Sequence, residues 1–246
     1  MTAPLIATRA LTLAAAGRTL VEALDWQAEA GQRWCVIGRN AAGKSSLLRA
    51  LAGVGEAALQ RAGQVRWFGR DSHAWPAADA ASVRAFLPQQ SSDRFPATVL
   101  RLLELSVVRP RHAAGDVLRA LDAASLGERN VLELSGGERQ RVALAQCAVQ
   151  GAPLLLLDEP VAFQDPAHQL QVAQWFCSLS DHALVISAHD VNWIARAATH
   201  VLALLPDGRC EQGPASLMLQ ADRLERVYGC AWATVEGDAG RLWIAQ

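Results

Sequence analysis

The chain has 246 residues, of which 51% are hydrophobic, and its formal net charge at pH 7 is −1. This length and apolar content suffice for one α/β domain over residues 1–246 with room for a subdomain. A near-neutral chain without a basic tract disfavours a nucleic-acid partner. The five cysteines are scattered and lack a C-x-x-C pair, which suits a reducing compartment and indicates neither a disulfide framework nor a zinc site.

The first thirty residues predict a short antiparallel β layer. Leu5–Leu13 forms one strand, and the partly alternating Leu20–Trp26 forms the next. The small-residue stretch Leu11–Ala16 has a short apolar part and is followed by Gly17-Arg18, so we interpret it as strand and not as a signal peptide. No apolar run approaches the ~20 residues of a membrane-spanning helix, and any membrane role therefore requires a partner.

A phosphate-binding loop is predicted next, because Gly38–Ser46 fits the pattern G-x-x-x-x-G-K-[ST]. The loop follows the apolar run Arg33–Ile37, typical of a buried parallel strand, and precedes leucines at helical spacing that Gly53 can terminate. Glycines let several backbone N–H groups point at one phosphate, and a helix N-terminus adds its positive dipole end. Lys44 would reach the β- and γ-phosphates, and Ser45 would hold Mg²⁺. The loop residues assigned to nucleotide binding are Gly38, Arg39, Asn40, Ala41, Ala42, Gly43, Lys44, Ser45 and Ser46.

Strand and helix signals alternate after this loop. Gly63–Phe68 predicts a strand, residues 72–85 are partly helical, and Ala85–Leu87 predicts a strand that enters a turn. Residues 91–133 differ, since Val99–Leu105 and Val117–Leu126 have helical periodicity. We expect residues 91–133 to form a small helical subdomain inserted in the core.

The α/β pattern resumes after Leu134. Apolar residues at helical spacing are followed by three buried strands at Leu154–Leu157, Ala183–Ser187 and Val201–Leu205. This order implies right-handed crossovers and a parallel sheet. Residues 231–246 predict a terminal β-hairpin around Gly237-Asp238-Ala239-Gly240.

Two acids directly follow the four-leucine strand. Asp158 and Glu159 stand at the carboxyl end of a buried parallel strand, where ligands bind in open α/β sheets. Asp158 is placed to support the Mg²⁺ bound by Ser45, and Glu159 could polarise an attacking water. Two acids in a loop mean little alone, but the phosphate loop upstream favours the functional interpretation.

The stretch Leu134–Arg141 (Leu-Ser-Gly-Gly-Glu-Arg-Gln-Arg) predicts a second anion site. Ser135 is a good N-cap, and Glu138 at the third helical position can complete a capping box. Gly136 and Gly137 are poor choices for capping alone, because each costs about 1 kcal/mol against Ala inside a helix. Their exposed N–H groups at a helix N-terminus suit an anion.

Leu134–Gln140 resembles the signature motif of ATP-binding cassette (ABC) ATPases. Together with Gly38–Ser46 and Leu154–Glu159, in that order, it identifies the chain as a member of that family, and the resemblance covers essentially the whole chain. Gln89 resembles the family's Q-loop glutamine and His189 its switch histidine. Asp165 resembles the D-loop aspartate.

The resemblance implies an α/β fold of the P-loop NTPase, ABC type. It has a mixed, mainly parallel sheet core, an N-terminal antiparallel β layer and a small helical subdomain. It also implies ATP and Mg²⁺ as ligands and a head-to-tail dimer of two copies. Ser135 and Gly137 would contact the γ-phosphate bound by the partner copy, and His189 would contact it from the same chain as Lys44. Gln89 would sense Mg²⁺ or water and link the site to the transmembrane partner.

Shorter features resemble one group of cassettes, the bacterial importers of iron–siderophore, haem or vitamin B12. They are Arg94–Val99, Leu224–Gly229 and the terminal hairpin. Such a subunit would act with integral-membrane permease subunits, and indirectly with a substrate-binding protein. It would lie peripherally on the cytoplasmic face of the inner membrane.

The sequence departs from the family pattern in three places. Ala15 stands where the family usually carries an aromatic residue that stacks on adenine, a loss on the order of 1–3 kcal/mol. Ala41 replaces a usual glycine, and Ala tolerates φ > 0 less well. The D-loop carries Ala162-Phe163-Gln164 before its aspartate.

Three alternatives stay open at this point. A cassette that transports a different solute would carry the same motifs. A soluble ABC ATPase acting on DNA or ribosomes is disfavoured, because fewer than about a hundred residues separate Lys44 from Leu134 and only one cassette is present. A nucleotide-gated module without useful hydrolysis is disfavoured by an intact Glu159 and His189.

Overall fold

The computed structural model describes residues 3–55, 58–89, 95–108, 112–237 and 240–246. Arg94, which opens one of the segments that suggested the importer group, lies outside the described residues, and so do Asp238 and Ala239 of the predicted hairpin turn.

The strands and helices follow in chain order. The strands are β1 Ile6–Ala15, β2 Arg18–Ala28, β3 Arg33–Ile37, β4 Leu59–Trp67, β5 Arg70–Asp71, β6 Arg84–Leu87, β7 Leu154–Asp158, β8 Ala183–Ser187, β9 His200–Leu204, β10 Cys210–Pro214, β11 Trp232–Gly237 and β12 Gly240–Ala245. The helices are α1 Lys44–Leu51, α2 Ala77–Val83, α3 Val99–Ser106, α4 Ala114–Ala120, α5 Gly136–Val149, α6 Pro166–Ser178, α7 Val191–Ala197, α8 Ala215–Met218 and α9 Ala221–Tyr228.

The core sheet is mixed, as predicted. Its strand order is β10-β9-β3-β8-β7-β6, and every neighbouring pair is parallel except β10 with β9. In the register of β7 and β8, Asp158 lies opposite Ser187 at the carboxyl ends of both strands. The ends of β3, β7 and β8 therefore meet at one edge of the sheet, where ligands bind in open α/β folds.

Both faces of the core sheet are buried, which explains the continuous apolar strands. On one face, Val36 and Leu156 pack with α1 and the antiparallel layer. On the other face, Cys35 and Leu157 pack with the helices that follow β6. The helix α1 thus lies between two sheets, with Leu47 and its apolar neighbours fully buried.

The predicted N-terminal layer is a four-stranded antiparallel sheet of order β2-β1-β4-β5. Its strand β4 begins at Leu59, four residues before the predicted Gly63, and ends before Phe68, whose φ is +51°. The strands β1 and β2 are joined by Ala16 and Gly17, with φ of +50° and +73°. Positive φ at both central residues is the geometry of a tight two-residue hairpin.

One predicted helix is wrong. The periodicity of Val117–Leu126 suggested a continuous helix, but α4 ends at Ala120 and a 3₁₀ turn occupies Ala124–Leu126. The break lies at Asp122, whose φ of +48° ends the α-helix. Within the predicted subdomain, α3 agrees with the periodicity of Val99–Leu105, and the boundaries 91–133 stay a prediction.

The C-terminal part adds elements that the sequence did not indicate, namely β10, α8 and α9. The strands β11 and β12 pair as a two-stranded antiparallel hairpin. Trp243 fixes it, because its indole N–H donates to Leu219 O at 2.7 Å and its main chain exchanges two hydrogen bonds with the Asn192 side chain. The hairpin thereby contacts α7, the helix that follows His189.

Candidate functional site

The loop between β3 and α1 needs glycine at Gly43. Its φ is +103°, and a β-carbon there would lie 2.9 Å from Leu20 Cβ. Ala41 adopts φ of +59°, a left-handed conformation that costs a non-glycine residue roughly 1–2 kcal/mol. The loop therefore takes a strained turn without the glycine that the family pattern has at this place.

Lys44 is buried at the start of α1, with 6% of its surface exposed. Its ammonium group donates to Gly38 O at 3.0 Å and to Arg39 O at 3.1 Å. Burial lowers the pKa of Lys44, and the negative charges of Glu159 and Asp158 partly oppose that shift. Two carbonyl contacts leave an ammonium donor available for a ligand of negative charge.

Ser187 connects the two acids at the end of β7. Its hydroxyl donates to Asp158 Oδ1 at 2.5 Å, and the Glu159 backbone N–H donates to the same hydroxyl at 2.9 Å. Asp158 is 1% exposed, and its second carboxylate oxygen has no hydrogen-bond partner among the described residues.

Glu159 is held in a strained backbone conformation with φ of +52°. Its carbonyl accepts the Gln140 side-chain amide at 3.0 Å and the Ala162 N–H at 3.1 Å. Its carboxylate oxygen Oε1 lies 2.7 Å from His189 Nε2, with the Glu159 side chain 19% exposed and His189 44% exposed. Backbone contacts on both sides thus aim this carboxylate at His189.

These side chains border one cavity of about 750 Å³. The predicted residues that line it are Asn40, Ala41, Gly43, Lys44, Ser45, Ser46, Gln89, Glu159 and His189. The β1–β2 hairpin supplies the remaining wall, with Ala15, Ala16, Arg18 and Leu20. The structure places Gly38, Arg39, Ala42 and Asp158 outside this lining.

The signature stretch forms the predicted capping box at the start of α5. The Glu138 N–H donates to Ser135 Oγ at 3.4 Å, and Glu138 Oε2 accepts the Ser135 N–H at 2.8 Å. These two contacts with Ser135, and then the Arg129 guanidinium at 2.5 Å, hold the pKa of Glu138 below its usual value. A β-carbon at Gly137 would lie 2.8 Å from the Phe163 carbonyl oxygen, so only glycine permits this approach.

A second cavity, of about 600 Å³, contains the predicted nucleotide-binding residues of the signature stretch and Asp165. It is lined by Ser135, Gly136, Gly137, Glu138, Arg141, Phe163, Gln164, Asp165 and His168. Asp165 caps α6 by accepting the backbone N–H groups of His168 and Ala167. The backbone N–H and then the imidazole of His168 are the main causes that lower the pKa of Asp165. No described residue lines both cavities, so one chain does not bring the signature residues together with Lys44.

The residues of the first cavity fit a nucleoside triphosphate with a divalent cation. The loop supplies backbone N–H groups at a helix start, and Lys44 supplies a buried cation that no carboxylate of the described residues contacts directly. The Ser45 hydroxyl lines the cavity, and the unpartnered Asp158 oxygen is buried behind the lining at the end of β7; both are hard oxygen donors of the kind that Mg²⁺ prefers. Of the residues predicted to contact the γ-phosphate, Lys44 and His189 line this cavity, whereas Ser135 and Gly137 line the other one.

A family model described as "ABC transporter" matches residues 21–162, which span the phosphate loop, the signature and both acids. The chain belongs to the ABC transporter family. It is an ABC-type ATPase domain that binds ATP. Within the described residues, no helix is long and apolar enough to cross a membrane.

Three curated relatives to which this ABC ATPase is similar share one printed name, "Hemin import ATP-binding protein HmuV". The protein from Pseudomonas entomophila is 44% identical over 199 residues, covering 74% of this chain and 76% of the relative. The protein from Ruegeria sp. is 34% identical over 235 residues, covering 89% of each chain. The protein from Streptomyces coelicolor is 38% identical over 227 residues, covering 86% of this chain and 79% of the relative.

Solved structures confirm the fold. An inward-facing putative metal-chelate type ABC transporter matches with a TM-score of 0.80 at 20% identity, covering 99% of this chain and 98% of that chain. A bacterial Atm1-family ABC exporter with ATP bound matches with a TM-score of 0.75 at 24% identity, covering 89% of this chain and 40% of that chain.

The structure adds residues to the site that the sequence did not indicate. The sequence places Ser187 in a buried strand two residues before His189, and that spacing is the signal that points to it. The sequence places Gln140 only within the signature stretch, and its burial and its contact with Glu159 O are seen in the structure alone.

Proposed function

We propose that this ABC ATPase hydrolyses ATP in the phosphate-loop cavity and thereby powers import of a metal chelate. The observation that carries the hydrolytic part is the contact between Glu159 Oε1 and His189 Nε2 in the cavity that also holds Lys44. A cavity that served binding alone would not require a glutamate whose backbone N–H and carbonyl are both held by neighbouring side chains.

Each residue in the cavity has a proposed role. Lys44 and the loop N–H groups bind the β- and γ-phosphates, and Glu159 accepts a proton from the attacking water. His189 orients the Glu159 carboxylate and lies beside the γ-phosphate position. Ser45, Asp158 and Gln89 hold or sense Mg²⁺, whose chemistry is to neutralise charge on the phosphate oxygens. Catalysis is thus mainly positioning and electrostatic stabilisation.

The signature cavity is proposed to serve a second copy of the chain. Ser135 and Gly136 are exposed, and the N–H groups at the start of their helix are available to bind an anion. No described residue of the phosphate loop of the same chain lines this cavity, so the anion would be the nucleotide phosphate bound by another copy. In a head-to-tail pair, Ser135–Glu138 and Asp165 of one copy close the phosphate-loop cavity of the other.

The proposed cargo class is a metal chelate, and hemin is the first candidate because the relatives are named for hemin import. Iron–siderophore and cobalamin are the other members of this class. The subunit would act on permease subunits at the cytoplasmic face of the inner membrane, with a substrate-binding protein delivering the cargo. These relatives favour transport over action on DNA or ribosomes.

The hydrolytic role is tested by Glu159→Gln, with Glu104→Gln as the matched control. Glu104 is exposed and pairs with Arg101 on the surface of α3. We expect Glu159→Gln to keep ATP affinity within about threefold and to lower turnover at least 100-fold, on the scale of a general base. Wild-type turnover in this variant would rule out the role of Glu159.

The cargo is tested in liposomes that contain the subunit with its co-purified permease and binding protein. We expect hemin to stimulate ATP hydrolysis and to enter the liposomes, whereas ferric siderophore and cobalamin do neither. Stimulation by one of the other two chelates would correct the cargo, and stimulation by none would reject the importer proposal.

A further inference from the structure

The described residues that line the nucleotide cavity include no Phe, Tyr or Trp that could stack on a base. A bound nucleotide must place its base somewhere beyond the phosphates, and bases in such sites usually stack on a flat side chain. The hairpin wall contains Ala15, Ala16, Leu20 and one residue with a planar π group, Arg18.

Strand register places Arg18 next to the small side chain of Ala15. The two residues are direct partners in the β1–β2 hairpin, and partners opposite each other in an antiparallel pair point to the same face, with Cβ atoms about 5 Å apart. Ala15 fills little of that face. The space over it is therefore within reach of the long Arg18 side chain.

The position along β2 suits a base better than a phosphate. Leu20, two residues farther along the strand, packs against the phosphate loop at Gly43. Two residues of strand span about 7 Å, so Arg18 lies farther from the phosphate loop than Leu20 does, by roughly the length of a ribose. The guanidinium is also available to bind a ligand, since Arg18 is exposed and makes no side-chain hydrogen bond or ion pair with another described residue.

We infer that the Arg18 guanidinium stacks on the purine base of the bound nucleotide. The inference rests on the proposed function and adds the base contact to it. A guanidinium is planar and weakly hydrated, and it stacks on aromatic faces where an ammonium group does not. Stacking contacts the ring face and not its edge, so ATP and GTP bind with affinities within about threefold of each other.

Calorimetric titration of the whole chain with ATP, GTP and inorganic tripolyphosphate tests this inference. Arg18→Ala is expected to weaken ATP and GTP binding by about 5- to 30-fold and to leave tripolyphosphate binding unchanged. Arg18→Lys keeps the charge and loses the plane, and it is expected to show the larger part of the same loss because an ammonium group keeps only a cation–π attraction. Arg9→Ala removes an exposed arginine of the same sheet outside the cavity and is expected to change nothing.

A gain-of-function variant checks the placement. Adding Ala15→Tyr to Arg18→Ala puts an aromatic ring on the same face of the hairpin, and we expect ATP affinity to recover to within about threefold of wild type.

Other outcomes would overturn the inference. Equal weakening of ATP and tripolyphosphate would show that Arg18 binds phosphate, and wild-type ATP affinity in Arg18→Ala would show that it binds neither group. A wild-type chain that binds neither ATP nor tripolyphosphate would overturn the proposed function, and this inference with it.

Discussion

Removing the Ser187 hydroxyl is expected to damage stability and turnover together. Ser187 is fully buried, and its hydroxyl serves both Asp158 Oδ1 and the Glu159 N–H. Losing a hydrogen bond to a charged group costs about 1.5–3 kcal/mol, and a backbone donor left without a partner adds about 1 kcal/mol. Ser187→Ala should therefore lower the free energy of unfolding by about 2.5–4 kcal/mol, a fall of roughly 5–16 °C in Tm for a chain of this size.

The same change frees one side of the Glu159 backbone. Because a displacement of about 1 Å at a catalytic group can cost 100-fold in rate, turnover should fall by about 10- to 100-fold at a temperature where the variant is folded. Thermal unfolding followed by circular dichroism and a coupled ATPase assay measure the two effects.

Ser178→Ala is the matched control for this experiment. The Ser178 hydroxyl is exposed and donates to Trp175 O within the same helix, so its loss should change stability by less than about 0.5 kcal/mol. If Ser187→Ala unfolds within 0.5 kcal/mol of wild type, the burial reasoning fails. If it is destabilised but hydrolyses ATP at the wild-type rate, Ser187 does not position Glu159.

Three other changes test separate contacts. Gln140→Met removes the amide that Glu159 O accepts, so turnover should fall about tenfold with ATP affinity unchanged, and equal kcat in both proteins would contradict this role. Gly137→Ala should reduce ATPase activity at least tenfold because its β-carbon meets Phe163 O, whereas Gly115→Ala, with open space around it in α4, should be neutral or stabilising. Tyr228 is the one tyrosine in the sequence, and burial raises its pKa to about 12. Its absorbance at 295 nm should titrate near pH 12 in the folded chain and near pH 10 in denaturant. The free energy of unfolding should fall between these two pH values, because the unfolded state ionises first. A midpoint near pH 10 in the folded chain would show that the hydroxyl is exposed.

The core strands and the phosphate loop were predictable because their signals are local. An apolar run before glycines and Lys44 is readable within a dozen residues, and so is the acid pair after Leu154–Leu157. The capping box of Ser135 and Glu138 was predicted for the same reason, since both partners lie within one helical turn.

The remaining features depend on contacts between distant parts of the chain. Ser187 and Asp158 are 29 residues apart and meet only through strand register. The role of Arg18 depends on its pairing with Ala15 and on where the hairpin lies relative to the loop. The break at Asp122 was missed because a single left-handed residue leaves the apolar spacing around it unchanged.

In the proposed function, a second copy of the chain completes the ATPase site. Complementation between two inactive variants tests it most directly. Lys44→Ala disables the phosphate loop and keeps the signature intact, whereas Ser135→Arg blocks the signature and keeps the loop. Each variant alone is expected to lack ATPase activity, and an equal mixture should recover activity, because mixed pairs contain one complete site. Wild-type activity of Ser135→Arg alone would contradict the account, and so would a mixture as inactive as its components.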